Sequence, residues 1–268
     1  MFEAIPIIQA PSACDIVPDI KNSNTQKGNT MARPRLEDWR AESIRFSYFF
    51  AEAVPEQLRE GLWRAITGSD PESSTLRKAE GVLHEQGPFL GGVLAIFTGP
   101  NRIDILLTPT VVANDFPNIG EIGTVHNELL RVLHQARFDI AAETVRLAYG
   151  LVANIRTSNR DESYRILDEL LSRVTVDPVG RDFHYQINYP RASTVNDKIT
   201  LNRLSRWSAA FTKQFQPGNV VDNLEIHVTR VEFDINTAPD VSIEGTDKAK
   251  LMDELIDSAR TMLTEGDR

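Results

Sequence analysis

The chain has 268 residues, 41% of them hydrophobic and 25% charged, with 29 Lys and Arg against 38 Asp and Glu for a formal net charge of −9. That composition can bury the core of one large domain or two small ones, and it is too apolar for a disordered chain. The acidic balance argues against whole-surface attraction to nucleic acid or anionic lipid, and no window approaches the roughly 20 uninterrupted apolar residues of a membrane span. Cys14 is the single cysteine, which excludes an intramolecular disulfide and a cysteine-rich zinc site.

The first thirty residues stand apart. Pro6, Pro11 and Pro18 interrupt the apolar stretches and the first twenty residues hold no Lys or Arg, so no secretory signal is expected and a reducing cytoplasm is the expected compartment. Residues 21–30 have no aliphatic side chain to offset the entropy of ordering. Residues 1–30 therefore read as a disordered segment, either a bare extension ahead of Met31 or a docking peptide presenting Ile5, Ile7, Ile8, Ile16 and Val17 to a partner.

From Ser43 the apolar side chains alternate: Ile44, Phe46, Tyr48 and Phe50 predict a half-buried strand. Pro55 to Gly68 frames a helix, and residues 69–80 read as a loop. The segment Gly87 to Gly92 reads as a turn. Gly92–Thr98 and Arg102–Thr108 form a hairpin about Gly99-Pro100-Asn101, and a helix follows from Thr124 to Arg137. A strand over Val145–Thr157, a helix over Asp161–Val174 and a strand around Phe183–Tyr189 come next. Residues 198–215 are ambiguous, because Lys198–Asn202 alternates while Leu204, Trp207, Phe211 and Phe215 are spaced by three and four. Leu224–Ile235 is a strand whose apolar phase shifts near Thr229-Arg230, which predicts a bulge. The last helix runs from Thr246, as its cap, to Thr264. The expected fold is α+β, antiparallel sheets with helices packed on one face, in two loosely repeated strand-helix-hairpin-helix halves, 31–140 and 141–268.

Catalytic motifs are thin. The glycines of Gly87–Gly92 lack the following Lys of a phosphate loop, and no Gly-x-Ser-x-Gly occurs. His84-Glu85 runs into Gly87-Pro88, which breaks the helix that a zinc motif needs. His126-Asn127-Glu128 lacks a Pro-Cys-x-x-Cys partner. His126 and His134 lie about 80° apart on a helix and read as solvent-facing or capping residues. Asp104, on a hairpin strand, has no acidic-x-Lys partner for nuclease chemistry. No metal and no cofactor is expected.

Two groups of residues carry the functional expectation. The first lies in 191–213, where five cations face Asp197 alone, followed by the acidic flank 222–245 with Arg230 as its lone cation. Arg191, Arg203, Arg206 and Trp207 are the candidate partner-binding residues, since Arg and Trp anchor interfaces; Trp207 and Phe211 read equally well as core. The second is a polar sheet face where His184, Gln186, Glu225 and His227 would meet if their strands pair in the right register. Function is expected to be non-catalytic binding of another protein, as an assembly or regulatory subunit of a cytoplasmic complex, with no membrane contact. The alternatives are a nucleic-acid-binding protein using the basic 198–213 stretch, with cations on phosphate and aromatics on bases, and a small enzyme with a pocket between the halves.

Overall fold

Alternating side chains make β1 (Arg40–Phe50), which places Ile44, Phe46 and Phe50 in the core. A short 3-10 turn, Leu36–Asp38, precedes it. The computed structural model describes residues 33–110, 116–135, 143–214, 224–239, 242–243 and 245–267. The expectations for residues 1–30 lie outside what is described, while Thr246, expected as a cap, lies inside the last helix, Gly245–Glu265.

Helix α1 (Glu56–Thr67) follows Pro55 and ends at Gly68, whose φ of 74° is the left-handed conformation that suits a glycine stop. The loop expected over 69–80 contains β2 (Ser73–Arg77), and β3 (Val82–Phe89) takes in the first half of the expected Gly87–Gly92 turn, which narrows to Leu90–Gly91. Gly87 and Pro88 hide β3 from a reading of alternation, yet Gly87 pairs with Leu94 and Pro88 with Val93. The hairpin of β4 (Gly92–Thr98) and β5 (Arg102–Pro109) is as expected. After β6 (Gly120–Glu121), α2 (Ile122–Gln135) leads to β7 (Thr144–Thr157).

Helix α3 (Arg160–Leu170) begins at Asn159, whose side chain accepts from the Glu162 amide at 3.0 Å, while the Glu162 carboxylate accepts from the Ser158 amide at 2.7 Å. The helix stops four residues before the expected Val174. Asp267 explains the ending: its carboxylate accepts from the Ser172 amide at 2.9 Å and its own amide donates to the Leu170 carbonyl at 3.2 Å. Strands β8 (His184–Asn188), β9 (Arg191–Ala192), β10 (Thr200–Gln214) and β11 (Leu224–Thr237) precede α4 (Gly245–Glu265).

The eleven strands among the described residues belong to one antiparallel sheet of order β2-β3-β4-β5-β1-β7-β11-β10-β8, with β6 on β1 and β9 on β10. Of the ambiguous 198–215 segment, Thr200–Gln214 is strand, because partners pair with it on both sides, β11 from Leu201 to Gln214. The expected bulge is absent: β11 keeps an unbroken register with β10 from Leu224 to Thr237 and with β7 from His227 to Asn236. The apolar phase shift has another cause. Ile226 and Val228 are buried on one face of β11, and Val231, Phe233 and Ile235 on the other.

The core gathers around three aromatic contacts. Trp39 meets Trp207 edge-on at 6.5 Å, Trp207 meets Phe233 at 5.7 Å, and Phe46 lies 5.5 Å from Tyr149. Trp39 Nε1 donates to the Leu263 carbonyl of α4 at 3.0 Å, and Trp207 Nε1 donates to Ser205 Oγ at 3.0 Å, so both indoles are satisfied while buried. Tyr149 reaches His126 of α2, and Thr229 Oγ1 donates to the Ser163 carbonyl of α3. No helix among the described residues is long and apolar enough to cross a membrane.

Candidate functional site

Register decides which side chains share a face, because directly paired residues of an antiparallel sheet point the same way. Trp207 pairs with Val231 and Tyr185, while Arg206 pairs with Glu232 and Gln186. Arg206 and Trp207 therefore point to opposite faces. Trp207 is fully buried and belongs to the core rather than to any docking surface.

Arg191 and Arg203 part from Arg206 but stay together. Arg203 is on the Trp207 side, where it lines a cleft of about 490 Å³ against α4 together with Arg191 and Lys250. There Arg191 donates to Ser258 Oγ at 2.8 Å and pairs with Glu254 at 3.4 Å. Glu254 is also held by Ser193 Oγ and by the amide and hydroxyl of Thr194. These hydrogen bonds and Arg191 lower its carboxyl pKa against the cost of burial. Burial and the neighbouring Arg191 charge lower that of Arg203. Among the described residues the stretch thus divides between Arg206 on one face and Arg191 with Arg203 on the other.

The expected histidine face is divided by the same parity. His184 pairs with Ser208, which pairs with Arg230, so His184 and Gln186 share the Arg206 face. His227 pairs with Phe211, on the Trp207 face. Glu225 accompanies His227 with Nε2 3.4 Å from its carboxylate, in a cleft of about 690 Å³ lined also by Arg160, Tyr164 and Phe211. The four residues form two pairs on opposite sides, because β11 meets β10 one residue out of the phase that would unite them. Among the described residues no group of three or more His, Cys, Asp or Glu could hold a metal ion.

His126 is the histidine that sequence reasoning misplaced. It is fully buried on α2 and hydrogen-bonded to the Tyr149 hydroxyl, with burial and Arg260 lowering its pKa to about 3. The helical spacing held the signal, since Ile122, Leu129 and Leu133 share its face of α2, while its partner on a strand 23 residues away is set by the fold.

The Arg206 face carries a cross-strand lattice of ion pairs. Arg230 donates to Glu42 at 2.8 Å and also pairs with Glu232, whose carboxylate meets Arg206 at 3.4 Å. Arg206 Nε in turn donates to Gln186 at 2.8 Å. Asn154 Nδ2 donates to Glu42 at 3.0 Å. Burial raises the Glu232 pKa, but hydrogen bonds and charge from Arg230 and Arg206 outweigh it, and the carboxyl titrates below its usual range. Arg45 pairs with Asp234 at 3.7 Å and lies across Gly150, where an added Cβ would stand 3.3 Å from its Nε. Further along, Ser47 donates to Asp104 at 2.5 Å, Arg102 pairs with Asp104 at 2.7 Å, and the Arg102 and Arg146 guanidinium groups lie over Phe49. The flank acids Glu232 and Asp234 thus answer arginines from three strands, a pairing only the register could show. Comparison of the chain with protein-family models and with curated proteins finds no match.

Proposed function

We propose that this protein is a non-catalytic binding subunit that holds a protein partner against the face of its sheet bearing Arg45, Arg206 and Arg230. The observation carrying this reading is the lattice Glu42–Arg230–Glu232–Arg206–Gln186 with its neighbour Arg45–Asp234. Their side chains stay partly open, 38% and 44% for Arg45 and Asp234 and 43% for Arg206, yet each is already held in place. Held charges lose less freedom on binding than loose ones, and alternating signs select a partner of complementary charge. The partner would lie over the Arg45–Arg206–Asp234 part of this face, since Ile226 and Val228, on the same face of β11, are already covered.

In this reading the four helices gather on the Trp207 face. The contacts of Tyr149 with α2, of Thr229 with α3 and of Trp39 with α4 support that placement. The reading also takes 31–140 and 141–268 as repeats of one unit. The strand order supports it: each half puts its first long strand, β1 or β7, at the centre, with its last long strand, β5 or β11, beside it.

The test is a photo-cross-linking residue at Ser208 or Leu106 on the proposed face, with Arg165 on α3 as the control position. The expected result is one protein cross-linked from the face, lost when Arg45→Glu and Arg206→Glu are combined. Cross-links only from the α3 position, or to nucleic acid, would refute it. A second reading, a small-molecule enzyme, has its own observation in the His227–Glu225 pair of the 690 Å³ cleft. Turnover abolished by His227→Ala would favour it.

A further inference from the structure

Glu85 is a buried carboxylate that the docking reading does not use. It is 6% exposed on β3, its Oε2 has no hydrogen-bond partner, and burial raises its pKa. The neighbouring indole is likewise unsatisfied: Trp63 of α1 is 2% exposed, and its Nε1 is buried without a partner. Both residues line a cleft of about 540 Å³ between α1 and the segment leading into β2. Gly87 seats the ring there. It shares the Glu85 face of β3, and a Cβ on it would stand 3.1 Å from Trp63 Cζ2 and 3.2 Å from the Glu72 amide. Glycine therefore lets the indole lie close to the strand beside Glu85.

Charge in the cleft is one-sided. Glu60, Asp70 and Glu85 line it against Arg64 alone, and Arg64 is already paired with Asp70. A buried carboxylate with an unused lone pair costs stability unless something completes it. An aromatic ring beside a carboxylate is the arrangement that takes a positively charged nitrogen: the acid supplies the counter-charge and the ring a cation–π contact. We propose that this cleft binds an organic cation, an ammonium or guanidinium group that pairs with Glu85 and lies against the Trp63 indole. The cation belongs to a small amine or to a lysine or arginine side chain of a partner.

The experiment is calorimetric titration of the full chain with agmatine and with the capped peptide acetyl-Gly-Arg-Gly-amide, using n-butanol as the neutral control. Saturable binding of either cation, none of butanol, and a loss of about tenfold or more in Glu85→Gln is the expected result. Agmatine alone binding identifies a small-amine site; a tighter peptide identifies a partner's side chain. The ligand-free Glu85→Gln protein should also melt higher than the parent, since the substitution removes a buried unpaired charge that ligand would otherwise complete. The proposal is overturned by any of three results: neither cation binding below about 10 mM, equal binding by Glu85→Gln, or a lower melting temperature in that variant.

Discussion

Replacing His126 with glutamine should make the protein markedly less sensitive to acid. His126 is fully buried between α2 and β7, and burial together with the Arg260 charge takes its pKa from 6.5 to about 3. Between those values the unfolded chain binds a proton that the folded chain does not. Stability is therefore complete above the unfolded value and falls as the pH drops through the window from about 6.5 towards 3. At 1.36 kcal/mol per pKa unit, lowering the pH from 7 to 5 removes about 2 kcal/mol through this one residue. That figure needs only a folded pKa below 5. The glutamine side chain would keep a hydrogen-bonding group towards the Tyr149 hydroxyl and lose the titration. The assay is urea unfolding of both proteins at pH 7 and pH 5, in which the other titrating groups contribute equally and cancel. The parent should lose about 2 kcal/mol more than the His126→Gln variant, or about 4–8 °C more in thermal midpoint for a chain of this size. Equal pH dependence would refute the buried, neutral histidine.

Three further outcomes follow from packing and charge. Trp207→Ala should cost about 3–5 kcal/mol in chemical unfolding, as loss of a buried aromatic does, whereas Arg203→Gln should change stability by less than about 1 kcal/mol; a reversed order would put Trp207 outside the core. Gly91→Ala, at a φ of 76° with nothing near the new Cβ, should cost about 1–2 kcal/mol from conformation alone. Gly266→Ala should cost more in the same measurement, because φ is also positive there and the Cβ would overlap the Leu170 carbonyl. Arg230→Met leaves Glu42, 12% exposed, and Glu232 without their shared cation and should destabilise by about 1–3 kcal/mol. Adding Glu42→Gln should recover part of that loss, and strictly additive changes would show that the lattice is not coupled.

The local elements were largely legible. The alternation of Ile44, Phe46, Tyr48 and Phe50, the glycine stop at Gly68 and the hairpin about Gly99–Asn101 are signals written in neighbouring residues, and the corresponding elements are present. Strands β2 and β3 escaped notice because the β2 side chains are all exposed, while Gly87 and Pro88 break the β3 pattern. The 200–214 segment defeated the reading for the opposite reason. Its aromatic spacing fits a helix, and only strands on either side of it make the extended form win.

The candidate site was legible in its ingredients and not in its grouping. Sequence alone determined that cations outnumber acids in 191–213, that acids concentrate in 222–245, and that His184 and His227 occupy strands, because composition and period are properties of the chain itself. Tertiary structure alone decided that Trp207 is core, that Arg206 and Arg203 face opposite ways, and that Glu42, 188 residues away, meets Arg230. The physical reason is the two-residue period of a strand. A shift of one residue in pairing sends every side chain to the other face, and that shift is set by contacts between strands far apart in the chain.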